Sequence, residues 1–265
     1  MYDFIVNPET GRKVNINGRL GKKILKKYLM ISEIVRNSNK LFNRYQTGGQ
    51  NKISYYSKLP SCNHECLNKI FGNFKAVLKT EVDLRDINDN QNVNATYGTI
   101  TPVGVEKLIN NLNITSDDTF LDLGSGIGNV VVQFALNSNV NRARGIEYVK
   151  SRYNQSLNYI NEFKKEFKNE FNNTSVKIEN KDINDIDIND SSIIFTCSTC
   201  FPNSLMETIK KKCENNPNLK YFITQKKIDG ETTLKYVGNL YVECSWNKNC
   251  IQHIYTNTNA SLKNM

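Results

Sequence analysis

The sequence predicts a doubly wound α/β domain: a mainly parallel sheet flanked by helices, closed by an antiparallel hairpin and preceded by a smaller, mostly helical region. Three observations predict it. From residue 119 onward, short apolar runs of strand length alternate with runs of helix length, and such alternation builds βα units on a parallel sheet. The first of those strands runs into a glycine-rich turn that opens a helix, Gly124-Ser125-Gly126-Ile127-Gly128. Two late apolar runs, Leu234 to Trp246 and Cys250 to Tyr255, flank Asn247-Lys248-Asn249, which reads as a hairpin turn.

In chain order, residues 1–30 read as a basic module of their own. Asp3-Phe4-Ile5-Val6 is a short apolar run, Asn7-Pro8-Glu9-Thr10-Gly11 is turn chemistry, and a second run spans Val14 to Ile16. Arg19 to Leu29 reads as a helix. Arg19, Lys22, Lys23, Lys26 and Lys27 share one face, opposite an apolar stripe of Leu20, Ile24, Leu25, Tyr28 and Leu29. Five like charges on one face repel, so that face is either solvated or holds an anion such as DNA. Residues 31–95 read as a cap or linker: mainly helical over 31–87, interrupted at Thr47 to Asn51, then polar and Asn-rich from Asp89 to Asn94. The α/β domain follows over 96–265. Its strands are expected near 119–124, 143–148, 176–182, 192–197 and 219–225, with helices over 128–138, 150–171 and 203–214. With the two hairpin strands the sheet has seven.

Composition narrows the function classes. The chain has 265 residues, 38% of them apolar, and no apolar run long enough for a membrane span. Its start, Met1-Tyr2-Asp3-Phe4, lacks the layout of a signal peptide, so an intracellular protein is expected. Seven cysteines, an odd number, argue against a closed disulfide framework. Cys62 and Cys66 around His64 have an unusual spacing for zinc and Cys197 with Cys200 lies just after an expected strand, so buried free thiols and no metal are expected. The net charge of +9 is compatible with a nucleic-acid partner. An Asn-, Lys- and Ile-rich composition, the mark of AT-rich coding, explains scattered lysines equally well.

The chemistry is carried by Phe120-Leu121-Asp122-Leu123-Gly124-Ser125-Gly126-Ile127-Gly128-Asn129. Glycines let the backbone turn tightly and let a ligand approach without a Cβ in the way. A dinucleotide site shares that look, and Asp122 separates the two. An acid at the strand end would repel a pyrophosphate on the helix N-terminus, whereas it favours the ammonium and sulfonium of S-adenosylmethionine. Glu147 ends the next strand, 19 residues after Gly128, where a carboxylate can accept from both ribose hydroxyls. After the third strand comes Lys181-Asp182-Ile183. Asp182 is placed to accept from an adenine amino group and Ile183 to pack on the ring. Three acids at three successive strand ends fall where an open sheet binds ligands, so a Rossmann-like class I methyltransferase fold is expected.

Tyr97-Gly98, then 23 residues, then Asp122-Leu123-Gly124-Ser125-Gly126-x-Gly128-x-Val130-Val131-x-Gln133 resembles the disruptor-of-telomeric-silencing family, the histone H3 lysine methyltransferases without a SET domain. Thr115-x-Asp117-Asp118 and Glu147 fall in register with it. The resemblance covers roughly residues 95–258 and is strongest from 96 to 148. It implies that Tyr97 to Ile100, with Gly98 and Thr99, close over the cofactor beside Gly124, Gly126 and Asn129, and that Ser245-Trp246 lines a channel for the substrate lysine. Three departures stand out: Thr99 replaces a carboxylate of the family, Cys197-Ser198-Thr199 followed by Phe201 replaces Asn-Asn-Phe, and His253 falls on a channel tyrosine. Tyr97-Gly98-Thr99-x-Thr101-Pro102 also resembles smaller lysine methyltransferases that modify membrane-associated proteins. Separately, Asn7-Pro8-x-Thr10-Gly11-Arg12 resembles a short module at the start of many large DNA virus proteins.

The resulting expectation is a protein lysine methyltransferase acting on histone H3 or a histone-like protein in nucleosomes, with S-adenosylmethionine as cofactor. Trp246, Phe201 and Tyr97 would wall the channel, Ser198 would accept from the amine, and His253 would assist as a base. The basic helix would hold nucleosomal or viral DNA. A monomer is expected, with no membrane partner, acting as a chromatin regulator in the nucleus, a viral factory or a virion. Two alternatives stay open: methylation of another substrate, such as nucleic acid with Cys197 or Cys200 as nucleophile, and a cofactor-binding module without turnover.

Overall fold

The computed structural model describes residues 4–6, 13–15, 18, 20, 98–166 and 174–263. The chain divides into two compact units, Met1–Tyr55 and Tyr56–Met265. In the first unit, β1 (Phe4–Val6) and β2 (Lys13–Asn15) pair antiparallel, with Ile5 opposite Val14. Arg19, Lys22, Lys23, Lys26 and Lys27 lie outside the described residues, as do Tyr97, Cys62, His64, Cys66 and the expected boundaries at 30 and 95.

The second unit holds the sheet. Its strands are β3 (Thr119–Leu123), β4 (Arg142–Glu147), β5 (Ser175–Asn180), β6 (Ile193–Thr196), β7 (Tyr221–Thr224), β8 (Lys235–Val242) and β9 (Cys250–Thr256), in the spatial order β5-β4-β3-β6-β7-β9-β8. The first five are parallel. β9 runs antiparallel between β7 and β8. The chain winds outward from β3 through β4 to β5, then returns to lay β6 on the other side of β3. An open sheet binds ligands at the carboxyl ends of its strands beside such a reversal.

Side-chain alternation gives the sheet two apolar faces. Phe120, Phe195, Ile223 and Ile254 point to one, with α1 (Pro102–Asn111), α2 (Asn129–Asn137) and α3 (Lys150–Glu166). Phe120 stacks there on Phe134 of α2, ring centroids 3.7 Å apart. Leu121, Leu123, Ile194 and Phe222 point to the other face, where Ile209 and Cys213 of α4 (Asn203–Glu214) and the Ile183–Asp185 turn cover them. α2 is buried from Asn129 to Leu136, which fits its continuous apolar run.

The expected doubly wound sheet with an antiparallel hairpin is the one found. The differences are local. α1 was not anticipated: Thr101 caps it by accepting from the Gly104 amide at 3.2 Å, and Pro102 occupies its first turn. The run expected as strand through Trp246 leaves the ladder after Val242. Its last residues pair with another segment instead: Thr101 N donates to Glu243 O, Ile100 bridges Cys244, and Ser245 N donates to Thr99 O. Among the described residues, no helix is long and apolar enough to cross a membrane.

At the opposite edge, Asp118 holds the start of β3. It accepts from Thr115 N at 2.8 Å, from Ser192 Oγ at 2.9 Å and from Lys220 Nζ at 2.7 Å. Burial alone would raise its carboxyl, but the bonds from Lys220, Thr115 and Ser192 outweigh it and hold the group below the ordinary range. That stabilisation is present above the unfolded aspartate value of about 4 and is lost as pH falls through the depressed folded value. Lys220→Met should cost about 2 kcal/mol at neutral pH, since it leaves a buried carboxylate without its cation. It should also flatten the loss of stability toward acid, as denaturant melts across pH would show.

Candidate functional site

The site is assembled at the carboxyl edge of β3, β4 and β5. Gly124, Gly126 and Gly128 all take positive φ, of 83°, 55° and 84°, a backbone that side-chain-bearing residues avoid. The bend is tied to the end of the neighbouring strand. Gly124 N and Ser125 N both donate to Ile146 O at 2.9 Å, and Gly126 N donates to Glu147 Oε2 at 2.7 Å. Val149 N donates to the other oxygen of Glu147 at 2.8 Å.

Asp122 is buried beside this bend. Its Oδ1 and the Ser125 hydroxyl have no hydrogen-bond partner among the described residues. Burial, with the negative charge of Glu147 second, holds the Asp122 carboxyl well above the ordinary range. A buried acceptor left unpaired costs about 1–3 kcal/mol. A cationic ligand group recovers that cost, whereas a phosphate would meet two acids, so the residues present fit a sulfonium and ammonium ligand. Asp182 follows β5. Its Oδ1 accepts from Asn184 N and Nδ2, both at 2.8 Å, and Asn180 ties this segment to the Glu147 and Tyr148 carbonyls. Ile183 is buried in the face beneath α4.

The loop Gly98–Thr101 lies over the start of α2. Asn129 Nδ2 donates to Thr99 Oγ1 at 2.8 Å, and one turn on Gln133 Nε2 donates to Pro102 O at 2.7 Å. Trp246 lies flat on Gly98. A Cβ added at Gly98 would sit 2.5 Å from two indole carbons, so only glycine permits that approach. Ser245 Oγ accepts from Thr99 N at 3.2 Å, and 42% of Trp246 remains exposed. Phe201 lies against Gly124 on the α4 side.

Two of the residues expected to act on the acceptor are placed elsewhere. Ser198 is fully buried, its hydroxyl bonded to Thr224 Oγ1 at 2.8 Å and receiving Lys226 N at 3.0 Å. It fastens the turn Ser198–Cys200 to the end of β7. His253 shares the α4 face with Tyr255, its Nδ1 3.1 Å from Tyr236 OH. The sheet therefore separates it from Asp122. Burial and nearby Lys227 keep its imidazole below the ordinary range. Cys197 was considered as a nucleophile, but burial and then Asp122 push its thiol far up, and a protonated thiol is a poor nucleophile. All the described cysteines are free, and no metal-binding group of three or more His, Cys, Asp or Glu occurs among the described residues.

Sequence reasoning missed Gln225 and Gln252. Gln225 Oε1 accepts from Thr199 Oγ1 and, at 3.6 Å, from Cys197 Sγ, while its Nε2 reaches Cys244 Sγ at 3.5 Å. Gln252 is fully buried with both polar atoms unpartnered.

The family model for the histone methylation protein DOT1 matches residues 75–232. The chain belongs to this family. It is the family that the Tyr97-Gly98 and Asp122–Gly128 motifs resemble. No curated protein matches the sequence. Among solved structures, a Methanococcus maripaludis protein described as an S-adenosyl-L-methionine-dependent methyltransferase is 16% identical over 67% of this chain and 66% of its own, TM-score 0.36. The chain thus spans just under two thirds of that protein's length. An RNA methyltransferase from Salinibacter ruber bound to S-adenosyl-L-homocysteine is 14% identical over 58% and 90%, TM-score 0.41. A SAM-dependent methyltransferase from Aquifex aeolicus is 13% identical over 59% and 98%, TM-score 0.38. The residues matched by the family model lie within the second unit, which carries the doubly wound sheet.

The raised Asp122 carboxyl has a consequence for cofactor binding. Without ligand, Asp122 keeps its proton above the ordinary aspartate range, and a bound cation drives that proton off. Cofactor affinity should therefore increase as pH rises from the ordinary aspartate value toward the raised one. Calorimetry from about pH 5 to about pH 8 checks this. Asp122→Asn should weaken binding at least tenfold at the alkaline end and remove the pH slope.

Proposed function

We propose that this protein transfers a methyl group from S-adenosylmethionine to a lysine side chain of histone H3 or a histone-like protein. The observation that carries the reading is the contact of Trp246 with Gly98, which lays an aromatic wall against the loop bonded to the cofactor-side Asn129. The DOT1 family match supports it.

In this reading Gly124 and Gly126 give the cofactor backbone clearance, and Asp122 faces its ammonium and sulfonium. Glu147 accepts from the ribose hydroxyls, Asp182 and Ile183 receive the adenine, and Tyr97 to Thr99 with Asn129 close over it. When bound, the cofactor supplies an electrophilic methyl group on a sulfonium, which leaves as a neutral thioether. The protein's task is to bring a neutral amine in line with it. Trp246 and Phe201 exclude water, and desolvation lowers the pKa of the entering lysine so that it sheds its proton. Arg19, Lys22, Lys23, Lys26 and Lys27 hold nucleosomal or viral DNA. That places the protein where chromatin or viral DNA is packaged, in the nucleus or a viral factory.

A second reading, a cofactor-binding module without turnover, is favoured by the burial of Ser198, which withdraws the hydroxyl expected to meet the amine. Incubation with labelled cofactor and nucleosomes, free histones, DNA or RNA separates the readings. Mass spectrometry should find methylated lysine on histone. Cofactor binding with no transfer to any substrate would select the inert module.

Trp246→Ala should lower kcat/KM for the histone at least tenfold while leaving cofactor affinity within about twofold, since it removes the wall that desolvates the entering lysine. Reversing Lys22, Lys23, Lys26 and Lys27 to Glu should weaken nucleosome binding and reduce its salt dependence. Unchanged affinity would remove the DNA-binding role.

A further inference from the structure

β9 lies between β7 and β8, and its register with β7 pairs Phe222 with Tyr255, Ile223 with Ile254 and Thr224 with His253. Gln225 follows the last paired residue of β7, and the same register continued by one step would bring it opposite Gln252. Ile223 and Ile254 belong to the face of α1 and α2, so alternation by two puts both glutamines on that face. It is the face of Asp122, whose charge is felt at Cys197, and Cys197 is itself a partner of Gln225. Across such a pair, Cα atoms lie about 5 Å apart.

Neither carboxamide is well satisfied. Gln225 Oε1 accepts from the Thr199 hydroxyl, but its other two partners are sulfur atoms, at 3.5 and 3.6 Å, and sulfur is a weak hydrogen-bonding group. Gln252 is fully buried on β9 with Nε2 and Oε1 both unpaired. A purely structural interior would place Leu or Met here and avoid that cost. Cys197 Sγ also lies 3.6 Å from Gly98 O, so Cys197 joins the Gln225 amide to the loop on which Trp246 lies.

We propose that Gln225 and Gln252 form a carboxamide pair that receives and orients the acceptor nitrogen. This rests on the lysine reading given above and names residues for a role that Ser198 and His253 are not placed to fill. An amine N–H is a far better donor than a thiol, so the acceptor displaces the Cys197 thiol from Gln225 Oε1 and pairs the stranded oxygen of Gln252. Carboxamides suit the task because they hold the nitrogen without charge. A carboxylate there would stabilise the ammonium, which has no lone pair with which to attack.

Two variants test the pair in the full-length protein, with a histone-tail lysine peptide as acceptor. Gln252→Leu should raise the melting temperature, because it removes a stranded polar group, yet lower kcat/KM for the peptide about tenfold or more. It should also weaken peptide affinity measured with S-adenosylhomocysteine present, while cofactor affinity stays unchanged. A filler residue would give the rise in stability alone, and that result overturns the proposal. Gln225→Glu should shift the acid limb of the kcat profile to higher pH, and Gln225→Asn should leave that limb in place with partial activity. An unmoved limb in Gln225→Glu, on an active wild type, overturns the role of Gln225 without touching the lysine reading. A wild type that neither methylates nor binds any lysine peptide overturns both.

Discussion

The bond network between the glycine bend and the end of β4 is the constraint on which the rest of the site depends. Two amides share the Ile146 carbonyl, and a third reaches the Glu147 carboxylate. Together they fix where α2 starts, and α2 in turn positions Asn129 and Gln133. Those two amides hold the loop that carries Thr99 and Gly98. The same loop braces the hairpin through Ser245 and Trp246. One tightly bent backbone thus sets both the surroundings of Asp122 and the loop beneath Trp246.

Around that frame the protein tolerates polar atoms that a plain core would not. Asp122, Ser125 and Gln252 are buried with unpaired atoms, each at a cost of about 1–3 kcal/mol. Elsewhere, buried polar groups are matched with care: Asn216 Nδ2 bonds two carbonyls, and Asp118 gathers donors from three other residues. Asn137 Oδ1, at the end of α2, is the exception away from the bend.

Much of this was legible in the sequence because backbone demands leave few residue choices. Asp122 through Gly128 is readable since a left-handed bend needs glycine, and Glu147 since strand length fixes its distance from the bend. Ser198 and His253 take their places from tertiary contacts: bonds to Thr224 and Lys226 hold Ser198 under the end of β7, and the face of His253 depends on the register β9 obtains from β7 and β8. Helix α1 was missed because its ten residues follow directly on a loop and contain Gly104. Gln225 and Gln252 were invisible because each ends or sits within an apolar run, and the partners of Gln225 lie up to 28 positions away. No local pattern reports such a meeting.

The insertion of β9 between β7 and β8 also orders the protein's making. The bend, Asp122, Glu147 and Asp182 leave the ribosome long before Cys250 to Thr256, the strand that completes the sheet. Until β9 arrives, β7 is an unprotected sheet edge and β8 has no neighbour. A chain arrested before Cys250 would carry Asp122, Glu147, Phe201 and Trp246 on a sheet whose edge at β7 is still open.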